Sequence, residues 1–170
     1  DKLLLQSEYR QVNKNSSHIA DFSIFNKKSS NSKSHFFYKY NKNLGYLNFE
    51  ESNLDIEIQQ TSNDTYLKGN KIVSKITDDS DVLKSSLGLN FYSENIAIDS
   101  EFIVYENLNK NDTDRYEYIL PKLNLIKNIE NRTSLNGNFY LKSDNTIKNY
   151  DTNVFETINI NDLIFNSNPK

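Results

Sequence analysis

The side chains in this sequence that could do chemistry are, first, its acids. Asp78, Asp79 and Asp81 crowd one connection, with Asp64 upstream of them, and Asp112 and Asp114 crowd another. Carboxylates so spaced could hold a divalent cation through side-chain and backbone oxygens. The turn glycine and terminal bidentate glutamate of an EF-hand loop are missing, so hydrated turn acids are the plainer reading. Asp55, Glu57, Asp99 and Glu101 fall on predicted strands, where paired carboxylates could cleave a glycosidic bond. Simple alternation places acids at such positions in any case, so they carry no argument for catalysis.

The remaining candidates are fewer. His18 and His35 lie on neighbouring predicted strands and could approach one another, but two imidazoles need carboxylate or water to complete a metal shell. No G-x-S-x-G motif places a serine nucleophile beside a histidine. The absence of Cys excludes disulfides, thiolate metal sites and cysteine nucleophiles together. Asn15, Asn63, Asn111 and Asn131 open glycosylation-type triplets. Such triplets arise by chance where about one residue in six is Asn. The expectation is therefore no catalytic residue, no cofactor and no resident metal, with any ligand-binding residues unknown.

The elements that would position these side chains are strands. Leu54, Ile56 and Ile58 alternate with Asp55, Glu57 and Gln59, and Leu87, Leu89 and Phe91 alternate with Gly88, Asn90 and Tyr92. Ile96 and Ile98 oppose Ala97, Asp99 and Glu101, while Leu135, Phe139 and Leu141 oppose Asn138 and Lys142. Side chains on a strand alternate faces, so each run has an apolar and a polar side. No segment keeps a helical period. The pattern predicts an antiparallel up-and-down meander of about nine strands, near 3–12, 17–26, 34–42, 53–61, 83–92, 95–107, 115–126, 134–143 and 147–160. Between them lie turn-forming residues and one long connection, 62–82.

Composition narrows the class. The 170 residues carry a net charge of −3, with 25% charged and 36% hydrophobic residues, and the mean hydropathy is −0.74. Interspersed charges give no basic stripe for nucleic acid. No run approaches the roughly 18 to 20 apolar residues of a transmembrane helix. Tyr 11 and Phe 10 are many rings for so polar a chain, which fits strands with one wet face. The first residues lack the pattern of a signal peptide, and the chain reads as an excerpt of a longer one, one partial domain spanning 1–170 with no second domain. Several strands reach the roughly 9 to 11 residues that a tilted transmembrane strand needs. Alternation alone leaves two architectures open, a β-sandwich and a stretch of outer-membrane barrel.

Three stretches resemble one family. Asp55 to Leu67 is similar to its strand ending in a Ser/Asp-rich segment and Tyr. Leu87 to Tyr105, followed by Arg115-Tyr116-Glu117-Tyr118-Ile119-Leu120-Pro121-Lys122-Leu123, resembles its hairpin leading into a Y-x-x-L-P-x-L strand. Gly137-Asn138-Phe139 onward to Tyr150-Asp151-Thr152-Asn153, with Asn161-Asp162, continues in the same order. The order resembles that of LptD, the lipopolysaccharide-assembly or organic solvent tolerance protein family, and it covers nearly the whole chain. The resemblance implies an interior segment of a very large barrel in the cell outer membrane, closed around a plug lipoprotein of the LptE type. The implied role is transport and assembly of lipopolysaccharide at the Gram-negative cell surface, without enzymatic chemistry. The periplasmic Lpt bridge would be reached through an N-terminal domain that this chain lacks. The alternative is a soluble or surface β-sandwich that binds glycans.

The barrel reading fixes two further expectations. Leu54, Ile56, Ile58, Leu87, Leu89, Phe91, Ile96, Ile98, Leu135, Phe139 and Leu141 should face lipid. Glu57, Gln59, Asn90, Asp99, Glu101, Asn138 and Lys142 should face the lumen. Connections 27–33, 62–82 and 108–114 should share one end, placed outside the cell, where Asp64, Asp78, Asp79 and Asp81 could bind cations that bridge lipopolysaccharide phosphates. Connections 13–16, 43–52, 93–95 and 127–133 should share the other.

Overall fold

A computed structural model describes residues 2–28, 30–77, 79–131 and 136–167. Nine strands follow one another: β1 (Lys2–Val12), β2 (Ser16–Lys27), β3 (Ser30–Asn43), β4 (Glu51–Thr61), β5 (Val82–Ser93), β6 (Ile96–Asn107), β7 (Tyr116–Ile129), β8 (Gly137–Tyr150) and β9 (Val154–Ser167). They form one sheet in which every strand pairs antiparallel with its sequence neighbours. The sheet is not closed, and β1 and β9 are its edges. The only helical pieces among the described residues are a turn, α1 (Tyr66–Gly69), and a 3₁₀ turn over Asp112–Arg115. This is the expected all-β meander. Among the described residues no second sheet covers it, as a sandwich would require.

Up-and-down order also sorts the connections as expected. Asp64 meets Arg115, Lys110 meets Asp151, and Thr152 donates to Asp114, so three connections meet at one end. At the other end Asn43 donates its N–H to Asn15, Glu50 to Tyr92, and Asn128 to Asn95.

Two boundaries differ from expectation. The connection expected at 27–33 shrinks, since β2 runs to Lys27 and β3 starts at Ser30. The strands expected at 134–143 and 147–160 lie at 137–150 and 154–167 instead. Asp144, Asn145 and Thr146 look like a turn in sequence but pair with Ile160, Asn159 and Ile158 in mid-strand. The turn forms at Asp151, Thr152 and Asn153, all with positive φ. Asp and Asn tolerate that region. Thr152 does so less readily, and Asp114 holds it by accepting from its N–H and hydroxyl at 2.6 Å.

Cross-strand partners share a face, so the registers define both surfaces. One row runs Leu54, Leu89, Ser100, Leu123, Asn145, Asn159. On the other face a row runs Asn53, Asn90, Asp99, Asn124, Asp144, Ile160. The expected division into two sets is present on β4 to β8, although Leu135 lies outside the described residues. The apolar row turns polar where it crosses β8 and β9. There Ser143, Asn145, Asn159 and Asn161 hydrogen-bond to one another. Leu87 and Phe102, at 40% and 38% exposure, lie bare on the apolar face.

Candidate functional site

The polar face holds two different surfaces. Over β3 to β7 it forms a hollow of about 310 Å³, whose charged walls include Lys39, Asp55, Glu57, Lys84, Glu101 and Lys122. Gly88, between Asp55 and Glu101 in register, leaves space at its centre. Lys84 pairs with Glu101 at 2.9 Å and Lys39 with Glu57 at 3.8 Å. Asp55 accepts from Asn41 at 2.6 Å and from Asn90 at 3.2 Å. Gln59 donates to Glu57 at 2.6 Å. Of the four strand acids that sequence pairs as a glycosidase could, three are thus committed to an amide or ammonium partner. Asp99 lies exposed beside them in the hollow. The hollow is a hydrophilic lining of interleaved charge, able to exchange hydrogen bonds with a polar solute.

Over β1 to β4 the same face is covered. The connection after β4 folds back onto it, and Tyr66 and Leu67 of α1 join Phe37, Ile76, Leu83 and Leu108 in the core. Beneath them lies a buried polar network. The Ser23 hydroxyl sits 2.5 Å from the Tyr66 hydroxyl and 2.7 Å from His35 Nδ1. His35 Nε2 lies 3.3 Å from Asp21 Oδ1 without hydrogen-bond geometry, and burial pushes the imidazole pKa below its ordinary value against the pull of Asp21. Gln6 donates to Asp21 at 3.2 Å and to the Val73 carbonyl at 3.0 Å. Tyr66 can donate to Ser23 and Ser23 to Nδ1, which puts the ring hydrogen on Nε2, the one atom of the network without a hydrogen-bond partner. Asp21, Ser23 and His35 are all buried.

These are the residue types of an acyl-transfer triad, but Tyr66 occupies the space that a substrate carbonyl would need beside Ser23. The geometry fastens a segment to the wall. Sequence inspection misses it because the three residues carry no motif. The available signal was parity, since Asp21 and Ser23 share a side of β2 and Ser23 pairs directly with His35.

His18 and His35, which neighbouring strands could have brought together, stay apart. His18 belongs to the row of Tyr40 and His35 to that of Ser23, and neighbouring strands at opposite parity turn their side chains apart. His18 instead bonds the Tyr38 hydroxyl at 2.8 Å, its ring 4.6 Å from that of Tyr40.

The connection acids are partnered rather than poised for a cation. Arg115 bonds Asp64 at 2.7 Å and holds its carboxyl below the usual range. Lys68 pairs with Asp81 and lowers it likewise. Asp79 accepts from the Asp81 N–H at 2.7 Å. Thr152 lowers Asp114 through both its bonds. Asp78 and the Asp112 side chain lie outside the described residues. Among the described residues no group of three or more His, Asp or Glu could hold a metal ion.

Fold and surfaces together define the class as an open, all-antiparallel β-meander with one wet and one largely apolar face. No family model, curated protein or solved structure matches the chain.

Proposed function

We propose that this chain is a stretch of outer-membrane β-barrel wall from an LptD-type translocon, which carries lipopolysaccharide to the cell surface. The observation that carries the proposal is the uncovered apolar face. Leu54, Leu87, Leu89, Ile98 and Phe102 stand in adjacent registers on strands of 11 and 12 residues, with no second sheet over them. A water-soluble sheet buries such a face; lipid covers it in a barrel wall. The opposite, charged face is what a watery lumen requires. Closure would pair the open edges of β1 and β9 with further strands, since an unpaired backbone edge in hydrocarbon costs several kcal/mol per group. In this reading the partners are lipopolysaccharide, a plug lipoprotein of the LptE type, the periplasmic Lpt bridge and outer-membrane lipid.

The test is depletion of the full-length gene product in its own cells, with fractionation. The protein should sediment with the outer membrane, and newly made lipopolysaccharide should stop reaching the surface and accumulate inside the envelope. Recovery of the protein in a soluble fraction, or unchanged surface lipopolysaccharide after depletion, would refute the assignment.

A further inference from the structure

We propose that residues 62–77 form a strap latched across the polar face of β1 to β4, and that the contact between Tyr66 and Ser23 is the latch whose release lifts it. The strap is held in three ways. Tyr66 and Leu67, at 0% and 2% exposure, insert into the small core with Phe37 and Ile76. Lys33 donates to Asn63 at 2.9 Å, and Gln59 to the Ile76 carbonyl at 3.4 Å. The third hold is a row of polar groups in which Tyr66 bonds Ser23 and Ser23 bonds His35, and, across a 3.3 Å contact from His35 to Asp21, Gln6 bonds both Asp21 and the Val73 carbonyl. That row grips the strap at two places and joins them through three strands of the wall.

The chemistry of the socket is what makes the strap releasable. An apolar socket would resist wetting and lock the segment down permanently. Here the wall presents a carboxylate, an imidazole, a hydroxyl and an amide, and water can satisfy each of them once Tyr66 withdraws. Lifting forfeits a core of six buried side chains and the strap's hydrogen bonds, while water takes over the wall's polar groups and reaches His35 Nε2, which has no partner under the docked strap. A docked and a lifted arrangement of one segment are the two states that a conformational device requires. Its consequence for transport rests on the barrel reading above: a lifted strap uncovers inner wall that a docked one covers.

The experiment uses the full-length protein in isolated membranes, with single cysteines at Leu67, under the strap, or at the exposed Lys75. A membrane-permeant maleimide reports access. With the latch intact, L67C should react on the order of a hundredfold more slowly than K75C, as for a site exposed only by local opening. Y66F removes one hydrogen bond and should speed L67C labelling about five- to tenfold. S23A strands two buried partners and should speed it further. Reaction of L67C within about threefold of K75C would overturn the strap, as would unchanged L67C rates in Y66F and S23A. Should Y66F fail to assemble, the comparison of L67C with K75C alone decides. Protection and release in a protein recovered from a soluble fraction would keep the strap and sink the barrel. An unprotected L67C in a membrane-assembled protein would do the reverse.

Discussion

The strapped sector, β1 to β4, and the bare sector, β8 to β9, obey the same alternation and stabilise themselves differently. In the first, a connection supplies the missing second layer, so two aromatics, Phe37 and Tyr66, are fully buried and polar groups beneath the strap bond chiefly to one another. In the second, none of the described residues forms a layer above either face. Every β9 residue but one is exposed, and midway along the pair the polarity of the faces is exchanged, with Ile158 and Ile160 beside Thr146 and Asp144. Asn145 and Asn159 stand opposite them, in the row that is apolar on β4 and β5. A single-layer sheet has no core of its own. It borrows one from a strap or from its surroundings, and only the strapped sector carries its own.

Substitutions that break this contrast should scale with what each sector buries. Phe37→Ala removes a fully buried ring from the strap core and should cost about 3 to 5 kcal/mol. Phe102→Ala, half-exposed on the apolar face, should cost clearly less in the purified chain. Urea unfolding of both variants measures the difference, and equal losses would mean that the strap supplies no core. In membranes the contrast between faces should be nearly as large. Leu89→Arg, in the apolar row, should cost about 2 to 4 kcal/mol near mid-bilayer, whereas Asn90→Arg on the hollow should be tolerated. Equal assembly of the two in the outer membrane would reverse the assignment of the faces.

In the bare sector the expected weak point is packing at the strand end. A methyl group built on Gly137 would lie 2.3 Å from the Asn166 carbonyl oxygen and 2.6 Å from the Phe165 ring. Gly137→Ala should therefore push β8 and β9 apart at that end, at a cost of about 1 to 3 kcal/mol. Faster backbone hydrogen exchange near Asn166 would register it. Unchanged exchange would show that β9 already yields freely there.

How much of this was legible in sequence follows from the range of the interactions. Period two in Leu54 to Gln59, or Leu87 to Tyr92, is local, and it gave the strands, the order and both faces. The turn at Asp151 was missed because Asp144, Asn145 and Thr146 carry the same turn chemistry. Groups far away along the chain mark the second site, where Asp114 caps Thr152 and Lys110 pairs with Asp151. The socket of Asp21, Ser23 and His35 was missed for a similar reason. Its fourth member, Tyr66, arrives from a connection with no periodicity, and the fold-back that delivers it is set by Phe37 and Leu83, which look like ordinary strand positions.

The smallest expected effect lies where the connections of the two sectors meet. Arg115 joins Asp64, from the connection after β4, to Glu106 of β6, and Asp114 holds Thr152 before β9. Both Asp64 and Asp114 have carboxyls held below the ordinary range, by Arg115 and by Thr152 respectively. A depressed folded-state pKa means that the contribution is fully present above the unfolded value of about 3.9. It is lost as pH falls through the lower, folded-state value. At pH 7 the ties hold, and only below about pH 4 should they loosen. Asp64 is nearly half exposed, so its pair is screened and contributes no more than about 1 kcal/mol. Limited proteolysis between residues 108 and 115 should therefore accelerate on acidification from pH 5 to pH 3 in the parent chain. Asp64→Asn should bring the faster cleavage already at pH 7 and flatten the acid dependence. A profile unchanged by Asp64→Asn would show that Glu106 alone anchors Arg115, with Leu108 left to tie this connection to the strap through the Asp81 carbonyl and the core.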